Sequence, residues 1–96
     1  MKLRHAAALA LVGWYLMVPP PKVAGRLLVD LDAPLSKWTV YNPYETAAEC
    51  AQGHVDFGKK IKENLTKEPT QDNKMQYQQI ISAQCIASND PRLNSK

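Results

Sequence analysis

Three side chains in this 96-residue sequence have the types and spacing to act together: Cys50, His54 and Cys85. His54 follows Cys50 by four positions, so on a helix the thiol and the imidazole share one face. With Cys85 opposite, two thiolates and an imidazole could hold a metal ion, one ligand short of a closed site. That is the alternative reading, a thiol or metal module. The favoured one pairs the two sulfurs with each other. A chain with two cysteines that leaves the cytosol oxidises them to one disulfide, and an oxidised sulfur is no longer a thiolate ligand. Redox-active dithiols sit two residues apart at a helix start, whereas 34 residues lie between these. Ser36, His54 and Asp56 supply the residue types of a hydrolase, but no nucleophile elbow and no HExxH pattern surrounds them. No cofactor motif is present either, so the chain is read as non-catalytic, with no cofactor and no resident metal.

Whether Cys50 and Cys85 oxidise depends on the other end of the chain. Lys2 and Arg4 precede an uncharged run from Ala6 to Val18, which Pro19-Pro20-Pro21 closes. A basic start and an apolar run of this length form the pattern of an export signal, and the run is short of the ~20 residues that span a bilayer. Three positions could receive the cut. Ala8-Leu9-Ala10 has the small-x-small form but leaves too short a core. Gly13 follows a core of seven. Val23-Ala24-Gly25 has Lys22 awkwardly close. Retention as a short N-terminal anchor is the alternative to cleavage. The segment is therefore assigned to residues 1–13, with a boundary as late as 25, and the protein to the periplasm or cell envelope.

Charge agrees with this division. The formal net charge is +3, but from Arg26 onward nine basic residues face nine acidic ones. The body has no overall field for phosphate backbones or anionic lipid, which argues against nucleic acid as a partner. Membrane contact is expected only through the N-terminal segment. Lys59-Lys60-x-Lys62 reads as a solvated helix face paired with Asp56 and Glu63. Asn64-Leu65-Thr66 matches a glycosylation sequon by chance.

The elements that would position the cysteines come next. Leu27, Val29 and Leu31 alternate as a short strand would, and Trp38–Tyr41 alternates again before Asn42-Pro43 stops it. Thr46-Ala47-Ala48-Glu49 has the form of a capping box. Behind it Cys50, His54, Phe57, Ile61 and Leu65 keep helical spacing up to Glu68-Pro69. Gly53 and Gly58 weaken that helix by up to ~1 kcal/mol each, which close packing would explain. A second helix follows the capping candidates at 70–73 and runs to about Cys85, with Tyr77, Ile80, Ile81 and Gln84 on one side. Asn89-Asp90-Pro91 breaks it and leaves a loose polar tail at 91–96.

Several segments carry a resemblance. Trp14-Tyr15-Leu16-Met17-Val18-Pro19-Pro20, Ala33-Pro34-Leu35-Ser36-Lys37-Trp38, Tyr44-Glu45-Thr46-Ala47 before Cys50, and Ala83 through Leu93 occur in succession. The chain resembles a group of small bacterial proteins with N-terminal signal segments and the pattern W-Y-L-M-x-P-P, A-P-L-S-x-W, a capped first Cys, and C-I-A-S-D-D-P-R-L. Asn89 stands where that pattern has Asp, and Ala51 where Glu often follows the first Cys. The group brings no activity with it. The resemblance implies that Trp14 through Pro20 begins the mature domain, as a strand or apolar anchor, with processing near Gly13.

The resulting expectation is a small single α+β domain at 14–90, with two helices and two or three short strands. One strand lies near Trp14, and a Cys50–Cys85 disulfide joins the helices. Trp38, Val40, Phe57, Ile61, Leu65, Tyr77, Ile80 and Ile81 form the predicted core. The expected function is that of a non-catalytic interaction or structural module that meets a protein or cell-envelope partner through Tyr15, Tyr41 and Tyr44.

Overall fold

A computed structural model of the chain describes residues 13–22 and 28–94. Three strands form one antiparallel sheet: β1 (Trp14–Val18), β2 (Thr39–Tyr44) and β3 (Gln84–Ala87), in the order β2-β1-β3. Two helices, α1 (Ala47–Lys67) and α2 (Gln71–Ile81), lie in sequence between β2 and β3. The fold is the expected α+β domain with one disulfide.

The apolar run Trp14–Val18 is continuous rather than alternating because β1 is central and covered on both faces. Leu16 and Val18 pack into a cluster with Cys50, Ile61, Ile80 and Ala83, on the helix side of the sheet. Met17 joins Leu35, Trp38 and Ile86 on the other side, with Tyr15, Ala33 and Leu93 against them. Among the described residues no helix covers that second face. Two short 3-10 turns do, Leu35–Lys37 and Pro91–Asn94. Trp38 fits there because its indole Nε1 donates to the Ala33 carbonyl (2.9 Å), so burial leaves no orphan donor.

Both helices start as their sequences dictate. The Thr46 hydroxyl accepts from the Glu49 amide (3.0 Å), and the Thr70 hydroxyl accepts from the Asn73 amide (3.1 Å). The Asn73 side chain also donates to the Glu68 carbonyl (2.7 Å), closing the turn between the helices. Gln79 Nε2 donates to the buried Pro19 carbonyl (2.9 Å) and ties α2 to the exit of β1.

Five expectations are corrected. Leu27–Leu31 forms no strand in its described part. Val29 makes an isolated bridge with Pro21, and Leu28 and Leu31 are exposed. The triple proline removes the amides a longer ladder would need. The second helix stops at Ile81, and the chain turns at Ser82 to enter β3, which takes the open edge of β1. Pro43 does not stop β2, because an edge strand can turn a missing donor outward. Val40 (43% exposed) and Ile81 (53%) lie outside the core, while Leu16, Met17, Val18, Leu35, Ala83 and Ile86 belong to it. The tail at 91–94 is a 3-10 turn that brings Leu93 onto the second cluster.

Candidate functional site

Cys50 and Cys85 are bonded to each other, with Cα atoms 6.1 Å apart. The link joins the first turn of α1 to β3, so it fastens helix to sheet rather than helix to helix. Cys50 is fully buried in the first cluster. His54 stands one turn further along α1, and its Nε2 lies 2.6 Å from the Ile80 carbonyl. A carbonyl only accepts, so the proton sits on Nε2. The imidazole thereby serves the last turn of α2, where carbonyls lack helical partners. In this oxidised form neither sulfur is a thiolate, and one ring nitrogen of His54 is engaged. No group of three metal-ligating side chains occurs among the described residues.

Ser36, His54 and Asp56 are not assembled. Ser36 lies in a 3-10 turn whose Leu35 packs on the second face of the sheet, while α1 packs on the first. Asp56 follows His54 by two positions and faces elsewhere; it accepts from Gln52 Nε2 (3.0 Å).

The three tyrosines are divided as well. Tyr15 belongs to the second cluster, whereas Tyr44 packs against the first. Tyr41 is brought to the helix side by an irregularity in the ladder. The register steps from Met17↔Val40 to Leu16↔Asn42, which leaves Tyr41 unopposed. A bulge of this kind redirects a side chain. The Tyr41 ring meets Phe57 of α1 edge-on, with centroids 4.8 Å apart and planes at 84°.

Between the end of β2 and the first half of α1 runs an open groove of about 560 Å³. Pro43, Tyr44, Gly53 and Phe57 give it an apolar floor, and Glu45, Glu49, Gln52 and Asp56 line its sides. Gly53 is buried because the Tyr44 ring lies across it; a Cβ there would occupy the position of the phenol. Among the described residues the groove's carboxylates make no ion pair, and the one ion pair is Asp90–Arg92 (2.8 Å). Lys59, Lys60 and Lys62 are thus exposed but not paired with Asp56 or Glu63. Arg92 hydrogen bonds hold the Asp90 carboxyl below its ordinary range, and Asp90 raises Arg92 in return. That pair caps the final 3-10 turn, since the Arg92 amide also donates to Asp90 Oδ1 (2.9 Å).

Reading the sequence for chemistry missed the groove. Its signal was present: Glu49, Gln52, Gly53, Asp56 and Phe57 fall at i, i+3, i+4, i+7 and i+8, one stripe of a helix. That stripe mixes acidic, small and aromatic residues, so it matches neither a core pattern nor a catalytic one. Comparison with protein-family models, curated proteins and solved structures finds no match for the chain.

Proposed function

We propose that this chain is an exported, envelope-located interaction module that binds a basic segment of a partner protein in the groove between β2 and α1. One observation carries the proposal: an apolar floor flanked by Glu45, Glu49 and Asp56, with no cation among its lining residues. Lysine and arginine side chains fit such a surface twice over. Their stems cover Tyr44 and Phe57, and their heads meet the carboxylates. The balanced charge of the body makes this a short-range recognition, not a long-range attraction. The Cys50–Cys85 disulfide and the Lys2/Arg4–apolar pattern support export. No described helix is long and apolar enough to cross a membrane.

The test is site-specific photo-crosslinking in growing cells. A crosslinker at Gln52 should give a discrete adduct that Glu49→Lys abolishes, while one at Lys62 should give none. Equal adducts from both positions, or an adduct indifferent to Glu49→Lys, would reject the groove as the binding surface.

A further inference from the structure

The residues that complete the apolar run of the export segment are the same residues that form the central strand. Val18 ends the run, and Trp14–Val18 is β1, paired on one side with β2 and on the other with β3. Leu16, Met17 and Val18 are at most 5% exposed. No product lacking them has this fold: the sheet would lose the strand through which β2 and β3 are joined.

We infer that export and folding of this chain exclude one another in time, and that the Gly13–Trp14 peptide bond is the processing site that separates them. The inference rests on the export reading proposed above. While residues 6–18 lie in the bilayer, β1 is not available and the domain cannot close. Once β1 is paired, only Ala6–Val12 remains of the apolar run. Seven residues reach about 10 Å as a helix, against a hydrocarbon core of ~30 Å. The folded domain therefore does not span the membrane through this run.

The location of the cut follows from the register. A cut after Gly25 would remove β1 and with it the middle of the core. A cut after Ala10 leaves an apolar core below the length that signals use. Hydrolysis after Gly13 adds water across one peptide bond, leaving a carboxylate on Gly13 and a free amine on Trp14, with all of β1 retained. The order of events is also fixed by structure. In the folded chain the Gly13 amide donates to Ser88 Oγ (3.0 Å), its carbonyl accepts from the Ser88 amide (2.8 Å), and the Tyr44 carbonyl adjoins its Cα. A bond held between Ser88 and Tyr44 cannot be drawn as an extended strand into a peptidase cleft. Cleavage comes first, and pairing follows.

Intact-mass analysis of the full chain expressed in its own cells tests this, with and without reductant. The expected species begins at Trp14, is lighter by two hydrogens before reduction, and leaves the membrane in carbonate. An oxidised, protease-resistant domain beginning after Gly25, or at Leu11, overturns the assignment. Treatment of cells with a signal-peptidase inhibitor supplies the second arm. The accumulated precursor should stay membrane-bound, protease-sensitive and open to thiol alkylation at Cys50 and Cys85. A precursor that is membrane-embedded yet protease-resistant and disulfide-bonded refutes the mutual exclusion. A full-length, reduced and folded chain in the cytosol is a different result: it removes the export reading itself.

Discussion

Two glycines in the 21-residue helix α1 should respond to alanine with opposite signs. Glycine inside a helix costs about 0.5–1 kcal/mol relative to alanine, through the backbone freedom it gives up on folding. At Gly58 a Cβ would meet nothing within 4 Å. Gly58→Ala should thus recover most of that cost, raising Tm by about 2–8 °C at the 4–8 °C per kcal/mol of a domain this size. At Gly53 the same methyl would stand inside the Tyr44 ring. Helix propensity still favours alanine by about 0.5–1 kcal/mol, but overpacking costs about 1–3 kcal/mol, so the net result is a loss of up to about 2.5 kcal/mol. A double-mutant cycle assigns the cause. In a Tyr44→Ala background the obstacle is gone, and Gly53→Ala should become as stabilising as Gly58→Ala. Urea or thermal melts followed by circular dichroism measure all four variants. The reasoning fails if Gly53→Ala raises Tm as Gly58→Ala does, or if its penalty persists without the Tyr44 ring.

Reducing the disulfide should have the largest effect on stability. Closing a loop of sequence separation 35 is worth about 4 kcal/mol in the loop-entropy model, or roughly 15–30 °C in Tm; a melt shifted by less than about 5 °C on reduction would show that the staple is not what holds α1 to the sheet. Thr46→Ala should cost about 1 kcal/mol by orphaning the Glu49 amide, and a urea midpoint equal to that of the parent would contradict it. The Asp90–Arg92 pair gives a pH signature. Hydrogen bonds from Arg92 hold Asp90 below the ordinary carboxylate range in the folded chain, so its contribution is present above the unfolded value and fades as pH falls through the lowered one. The Tm gap between the parent and Asp90→Ala should accordingly close between about pH 5 and pH 2. A gap constant over that range would mean that ionised Asp90 is not its source.

The local features of the fold were legible from sequence wherever a short-range rule governs them. Thr46 four positions before Cys50 and the 3-4 spacing behind it gave α1, and two cysteines in a chain of this pattern gave the cystine. What failed was long-range. Gln84–Ala87 follows the helical residues of α2 without a break in apolar spacing, and only the open edge of β1 makes it a strand. Val40 alternates correctly with Trp38, but Trp38 sits just before β2 under a 3-10 turn, so the alternation describes no shared face. Leu35 and Leu93 look like loop residues in the sequence. They become core because no described helix lies on the second face of the sheet, and these loops cover it. The recurring segments of the resemblance, Ala33–Trp38 and the stretch ending in Pro91-Arg92-Leu93, contribute to that layer.

The groove departs from the economy of the rest of the molecule. Away from the groove the buried or half-buried polar groups have their partners: the Trp38 indole is bonded and His54 bridges the helices. On one side of α1 two local rules are broken together, beside carboxylates that flank an apolar floor. A glycine sits in a helix interior, and a tyrosine leaves the sheet ladder. Each departure costs stability, and none repairs another. Gly53 leaves room for the Tyr44 ring against the helix, and the bulge accompanies the contact of Tyr41 with Phe57. Sequences that are locally consistent almost everywhere tend to break their own rules where they bind something. The coincidence of these breaks on one surface, more than any single residue in it, is the reason to test there for the proposed partner.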